Sequence, residues 1–170
     1  GGAGDDSFSG QQGSDSIDGG AGNDFLIGHD WGIADATASD TLIDGTGDDT
    51  LIGGDGSDEL DGGRGNDVLK GGIGDDTLVA GLGNDELFGD EGNDLMTSRG
   101  GFDEMHGGAG DDTFVFMGRT GRDRIVDFDA GDRIEIFVDD ASNVLYADIL
   151  ANTDFSGGNA SIDLSALFNL

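Results

Sequence analysis

Cysteine is absent from this 170-residue chain, so no disulfide can staple the fold and cysteine usage says nothing about redox compartment. Histidine occurs twice, as His29 and His106. Each stands alone in its segment, without the ligand cluster a zinc site needs, so both read as solvent-exposed side chains. Two histidines also argue against a His-bearing catalytic triad, and neither a His-Glu-x-x-His helix nor a Walker-type Gly-Lys pair occurs. Catalysis within this chain is not expected, whatever enzyme or adhesin a longer protein carries beside it. Basic residues number only seven against thirty-seven acids, a formal charge of −30. Twenty-seven of the acids lie within residues 1–115 beside three basic residues. Such a surface disfavours nucleic acid, and without cations to neutralise it, it opposes compaction. Long apolar runs are missing too. Nothing approaches ~18 consecutive apolar residues, and no charged-then-apolar leader opens the chain, so neither a membrane span nor ordinary signal-peptide export is expected. The chain starts at Gly1-Gly2, already inside a repeat, which reads as a fragment of a longer protein.

What the chain has is periodicity. A nine-residue unit, Gly-Gly-x-Gly-x-Asp-x-U-x with U a large apolar residue, begins at Gly1, Gly10, Gly19, Gly28, Asp44, Gly53, Gly62, Gly71, Ala80, Gly89, Ser98 and Gly107. Position six is Asp in all twelve: Asp6, Asp15, Asp24, Asp40, Asp49, Asp58, Asp67, Asp76, Asp85, Asp94, Asp103 and Asp112. Position eight is always apolar, from Phe8, Ile17, Leu26 and Leu42 through Leu51, Leu60, Leu69, Leu78 and Leu87 to Met96, Met105 and Phe114. Glycine supplies the turn because it enters positive φ without steric cost. In the x-U-x segment, period-2 alternation sends U to one face and its neighbours to the other. Two consecutive repeats then make one circuit of turn, strand, turn, strand. Circuits stacked about 4.8 Å apart form an all-β parallel solenoid of two sheets over a thin core, with the turns in two rows.

Alternate repeats share a row. Asp6, Asp24, Asp49, Asp67, Asp85 and Asp103 line one edge, and Asp15, Asp40, Asp58, Asp76, Asp94 and Asp112 the other. Carboxylates about 4.8 Å apart repel unless cations bridge them. The donors are hard oxygens, which suit calcium and its six to eight oxygen ligands. The metal-free chain is therefore expected to be disordered.

Two repeats depart from the pattern. The fourth, Gly28 to Ile43, carries seven extra residues including Trp31, the sole tryptophan; residues 30–39 are expected to bulge as a surface loop, with a partner contact through Trp31 as the alternative. The eleventh places Arg99 in a turn where a cation belongs, so a weak or absent site is expected there. Both repeats are expected to interrupt their rows. Beyond Val115 only five of the 35 glycines remain. Thr113–Met117, Arg124–Phe128 and 133–138 read as strands of a β-rich cap over residues 116–170. Residues 144–151 suit either a short helix or a strand, and 155–159 a turn before 160–164.

Residues 1–115 resemble the β-roll of the repeats-in-toxin (RTX), or haemolysin-type calcium-binding, family. The cap resembles the region that follows such repeats in secreted metalloproteases, through Asp112-Thr113-Phe114-Val115-Phe116 and Asp123-Arg124-Ile125-Val126-Asp127-Phe128. The resemblance implies a calcium between repeats n and n+2. Its ligands are the carbonyls of positions two and four and the Asp of the first turn, then the carbonyls of positions one and three and the Asp of the second. In the first row this implies Gly2, Gly4 and Asp6 facing Gly19, Ala21 and Asp24, after which Gly20, Gly22 and Asp24 face Asp44, Thr46 and Asp49. Gly45, Gly47 and Asp49 then face Gly62, Arg64 and Asp67; Gly63, Gly65 and Asp67 face Ala80, Leu82 and Asp85; and Gly81, Gly83 and Asp85 lead to Asp103. In the second row Asp15 leads to Asp40, and Asp40 to Gly53, Asp55 and Asp58. Gly54, Gly56 and Asp58 face Gly71, Ile73 and Asp76; Gly72, Gly74 and Asp76 face Gly89, Glu91 and Asp94; and Asp90, Gly92 and Asp94 face Gly107, Ala109 and Asp112. Roughly seven to ten calcium ions are expected, fewer than the two-by-five geometric maximum.

The resemblance also implies type I secretion, an extracellular location and folding triggered by calcium outside the cell. A polysaccharide- or protein-binding module is the alternative, because outward positions carry Phe25, Ile27, Ile52 and Val68 on one sheet and Val79, Leu95 and Val115 on the other. Light scattering in calcium separates these readings, since a strict monomer without glycan affinity leaves the interface without support.

Overall fold

The computed structural model describes residues 1–29, 38–117, 123–137, 153–154 and 161–162. Among them the chain is all β, and the strands alternate between two parallel sheets. One sheet takes β2 (Ser7–Gln11), β5 (Phe25–His29), β7 (Thr50–Asp55), β9 (Val68–Ile73), β11 (Glu86–Glu91), β13 (Glu104–Ala109) and β15 (Arg124–Ile125). The other takes β3 (Ser16–Asp18), β6 (Thr41–Ile43), β8 (Glu59–Asp61), β10 (Thr77–Val79), β12 (Leu95–Ser98), β14 (Thr113–Met117) and β16 (Arg133–Phe137). Short β1 (Gly2–Ala3) and β4 (Gly20–Ala21) pair in the first turns, and β17 (Thr153–Asp154) pairs antiparallel with β18 (Ser161–Ile162). The result is a parallel solenoid of seven rungs.

Register follows the repeat. Leu51 lies beside Leu69, Leu69 beside Leu87 and Leu87 beside Met105, each pair two repeats apart. Position eight therefore always meets position eight. Leu26, Leu42, Leu51, Leu60, Leu69, Leu78, Leu87, Met96, Met105 and Phe114 are all fully buried, each contributing roughly 2 kcal/mol by burial. One large inward side chain in each repeat strand makes a narrow core, widened only at the last rungs, where Phe116 joins Phe114 and Ile136 joins Ile134. At its first rung Phe8 stays 37% exposed.

The ladders do not stop at Val115. β15 pairs with β13, setting Met105 beside Ile125, and β16 pairs with β14, setting Phe114 beside Ile134. Both offsets are longer by two than one circuit of the regular repeat, and Ile125 is as fully buried as the leucines. Segments read as strands of the cap thus add one rung to each sheet. Trp31 with most of the expected loop, 144–151 and 155–159 lie outside the described residues, as does most of 160–164.

At one end the outward face is covered. Val115 is only 4% exposed and its neighbour Thr97 only 6%, so neither belongs to an open apolar patch. On the other sheet the outward residues of adjacent rungs cover one another. Lys70 lies 5.2 Å from the Phe88 ring centroid, and Phe88 stacks on His106 with centroids 4.6 Å apart. His106, expected to be an ordinary exposed side chain, is instead part of this stack and sits 3.4 Å from Glu104. The side chain of His29 lies outside the described residues.

Candidate metal centre

The turns are as regular as the strands. Position four glycines such as Gly65, with φ +141°, hold a backbone that a side chain rarely adopts. A Cβ on Gly65 would run into the Gly47 carbonyl oxygen of the rung before it. Close stacking is maintained by backbone hydrogen bonds between turns: the Gly22 N–H donates to Thr46 O at 2.8 Å, Gly47 N–H to Arg64 O at 2.9 Å and Gly65 N–H to Leu82 O at 2.9 Å. The position-three carbonyls assigned above as ligands thus already accept one hydrogen bond each, which leaves a second lone pair. Position two also takes positive φ, and Asp90 adopts it at +75° where most repeats have glycine. The side chains of Arg64, Ile73 and Leu82 point to solvent, so these residues offer backbone oxygens alone.

Each position-six Asp uses its two oxygens differently. One, Oδ1, accepts the N–H of the corresponding Asp a rung earlier: Asp24 N–H to Asp49 at 2.7 Å, Asp49 to Asp67 at 2.9 Å, Asp67 to Asp85 at 2.9 Å and Asp85 to Asp103 at 3.0 Å. The second row runs likewise through Asp15, Asp40, Asp58, Asp76, Asp94 and Asp112. The other oxygen, Oδ2, is buried without a hydrogen-bond partner in Asp15, Asp24, Asp49, Asp67, Asp76, Asp85 and Asp94. An orphaned buried carboxylate oxygen is costly, and here the same atom recurs rung after rung.

Beside the orphan oxygens of Asp15, Asp24, Asp67, Asp76 and Asp94 the position-one residue is glycine, and a Cβ there would collide with that oxygen; at Gly10, Gly19, Gly62 and Gly89 other oxygens converge on the same point. A Cβ on Gly62 would lie 2.7 Å from Asp67 Oδ2 and 2.8 Å from the Ala80 carbonyl oxygen. Similar oxygens surround Gly1, Gly10, Gly28, Gly53 and Gly89, the carboxylate from the same repeat and the position-one carbonyl from two repeats on. A cavity walled by an anionic oxygen and a carbonyl oxygen suits a hard divalent cation such as calcium. Electrostatics agree. Burial, followed by repulsion from Asp58 and Asp94, pushes the Asp76 carboxyl up to about 8 despite a backbone hydrogen bond that lowers it. Asp67 and Asp85 rise to about 7, again chiefly by burial. Positive charge is what these rows lack.

Several features were not legible in the repeat. The fourth repeat does not break its row, because Asp40 accepts from the Asp15 N–H at 2.8 Å and its own N–H donates to Asp58 at 2.8 Å. The eleventh repeat is modified by Ser98 rather than Arg99, which is exposed. The Ser98 hydroxyl lies 2.5 Å from Asp103 Oδ2 and 3.2 Å from Asp123 Oδ2, occupying the place between two carboxylates. Both rows continue into the last rung, where Asp123 accepts from the Asp103 N–H at 3.1 Å and Asp132 from the Asp112 N–H at 3.0 Å. The Asp129 N–H donates to the second oxygen of Asp132 at 2.7 Å, so protein groups rather than an orphan oxygen end the ladder. An outer ladder at position five links Asp5, Asn23, Asp48, Asn66 and Asn84 through backbone N–H donors of the next rung. Its signal, Asn or Asp at position five in most repeats, is present in the sequence.

The sequence model of the RTX calcium-binding nonapeptide repeat matches this chain in four copies, over residues 1–30, 36–69, 70–105 and 88–125. The chain belongs to the RTX calcium-binding nonapeptide repeat family. No curated protein matches it. RTX repeats bind calcium, and the buried aspartates here accord with that. The RTX domain is a calcium-binding module built on a solenoid, not a catalytic fold, and among its described residues no helix is long and apolar enough to cross a membrane.

Proposed function

We propose that calcium binding is what folds this RTX domain, as a module of a larger protein that leaves the cell unfolded by type I secretion and folds outside. The observation carrying this reading is the series of buried, partnerless Oδ2 atoms in Asp15, Asp24, Asp49, Asp67, Asp76, Asp85 and Asp94, of which those of Asp15, Asp24, Asp67 and Asp94 converge with other oxygens beside a position-one glycine. A solenoid with one large inward side chain in most strands and two rows of buried carboxylates has little apolar burial to oppose its charge repulsion. Calcium removes the repulsion. Its ligands would be the position-six carboxylates with carbonyls of positions one to four from the two flanking turns, about seven to ten ions in all. At millimolar external calcium, sites with sub-millimolar dissociation constants each add roughly 1–3 kcal/mol to the folded state. Inside a cell, where calcium is scarce, that contribution is absent and the chain remains exportable.

Far-ultraviolet circular dichroism during a calcium titration tests this reading. The spectrum is expected to pass cooperatively from disordered to β-rich as calcium rises. A fully β-rich spectrum in excess chelator refutes it.

A further inference from the structure

Nine of the twelve repeats place glycine at position one, but the fifth places Asp44 there. Its carboxylate does not turn outward. Asp44 is 5% exposed, Asp24 3% and Asp49 2%, and one carboxylate oxygen from each of the three lies within 4.8 Å of the others. All three Oδ2 atoms are buried without a hydrogen-bond partner. Asp24 and Asp44 converge beside Gly19, where a Cβ would stand 2.5 Å from Asp44 Oδ2 and 2.7 Å from both Asp24 Oδ2 and Asp44 Oδ1. Asp44 Oδ1 accepts the Gly45 N–H at 2.7 Å, which leaves Oδ2 for a ligand.

Charge sets this cavity apart. Along a regular row each rung adds one carboxylate and each gap takes one divalent ion, so −1 meets +2 at every step. Among the twelve nonapeptide repeats, only the fifth has a carboxylate at position one, Asp44, which brings a second carboxylate into its gap so that the local sum is zero. We infer that the calcium site between Asp24 and Asp49 takes the Asp44 side chain as an added ligand and is the first on this chain to fill with calcium. Ligand charge count is a main determinant of calcium affinity. One added charge within a few ångströms is worth at least about tenfold in binding. Because the first ion bridges rungs near the start of the roll, its arrival joins the repeats on either side.

The inference rests on the calcium-binding reading above, and the experiment separates the two. Calcium is titrated calorimetrically into the full chain, into Asp44→Gly, which restores the residue most repeats carry, into Asp44→Asn, and into Asp18→Asn, which removes one exposed charge outside the rows. Circular dichroism follows folding in the same samples. The wild type and Asp18→Asn are expected to bind one equivalent about tenfold more tightly than the rest, while both Asp44 variants lose that class yet still fold at saturating calcium. Retention of the tight class in the Asp44 variants overturns the inference. So does its loss in Asp18→Asn, or an Asp44→Gly protein that binds one ion more than wild type, which would mean that Asp44 blocks the cavity. If no protein binds calcium, both this inference and the proposed function fall.

Discussion

Gly65→Ala is the sharpest test of how the turns stack. Gly65 has φ +141°, and a Cβ there points at the Gly47 carbonyl oxygen, far inside van der Waals contact, with Asp67 Oδ1 at 3.1 Å on another side. The Gly47 oxygen is backbone, and Asp67 Oδ1 is held by the Asp49 N–H at 2.9 Å. The added methyl group costs about 1–2 kcal/mol through the positive φ alone, and forcing two close-packed rungs apart costs a further ~1–3 kcal/mol. Separation also weakens the 2.9 Å bonds from Gly47 N–H to Arg64 O and from Gly65 N–H to Leu82 O, about 1 kcal/mol each. The expected loss is roughly 3–6 kcal/mol. Gly100→Ala is the matched control: its Cβ would meet only Leu82 Cδ2 at 3.3 Å, and no positive φ occurs there. That change is expected to be neutral or to stabilise by up to ~1 kcal/mol through the unfolded chain. Both are read from urea denaturation at saturating calcium, with m-values compared to confirm equal surface exposure. A Gly65→Ala protein within about 1 kcal/mol of wild type, or equal losses in both variants, refutes the stacking argument.

Asp67→Asn keeps an oxygen for the Asp49 N–H but removes the charge on the orphan Oδ2, so it is expected to cut the bound calcium by one or two ions while stabilising the calcium-free state; ion counting by mass spectrometry and circular dichroism in chelator give the two signs separately. In the calcium-free protein the folded-state carboxyls of Asp76, Asp67, Asp85, Asp94 and Asp44 titrate at about 8, 7, 7, 6 and 6, all raised from 3.8. Raised acids favour folding when protonated. Their contribution is full below about pH 4 and disappears as pH climbs through 6 to 8, so calcium-stripped protein is expected to gain β-structure at pH 5 relative to pH 8. A flat circular dichroism profile across that range contradicts the assignment. At pH 5, where the calcium-free protein is expected to hold β-structure with these carboxyls protonated, calcium binding is expected to release protons, seen as a dependence of the binding heat on buffer ionisation enthalpy. Ser98→Ala removes the hydroxyl between Asp103 and Asp123 and is expected to destabilise the last rungs by ~1–3 kcal/mol. Faster amide exchange confined to β13 and β15 is the readout.

Much of the fold was legible because the solenoid is periodic and one-dimensional: each rung touches only its neighbours, so a circuit of two repeats dictates who meets whom. The assignment of Asp6, Asp24, Asp49, Asp67, Asp85 and Asp103 to one row, and of their counterparts to the other, follows from that arithmetic. It fails where the period changes. Asp123 and Asp132 were hidden because two extra residues shift them out of the nonapeptide register, although Asp123-Arg124-Ile125 and Asp132-Arg133-Ile134 repeat the Asp-x-U pattern. The fourth repeat misled in the opposite sense. Its seven additional residues suggested a broken row, but an insertion at a turn leaves the strands free to re-enter register, and Leu26 still meets Leu51 on the far side of it.

Sequence alone determined the parallel two-sheet solenoid, the column of position-eight leucines, the carboxylate rows and the family, since each depends only on residue type at a fixed spacing. Tertiary structure decided the fate of individual atoms. It divided every aspartate into a hydrogen-bonded Oδ1 and an orphan Oδ2, substituted the Ser98 hydroxyl for Arg99 at the weak repeat, buried Val115 and turned Asp44 inward. Those outcomes depend on which groups from different rungs converge within a few ångströms, and a periodic code specifies the neighbours of a rung without specifying where their side-chain oxygens point.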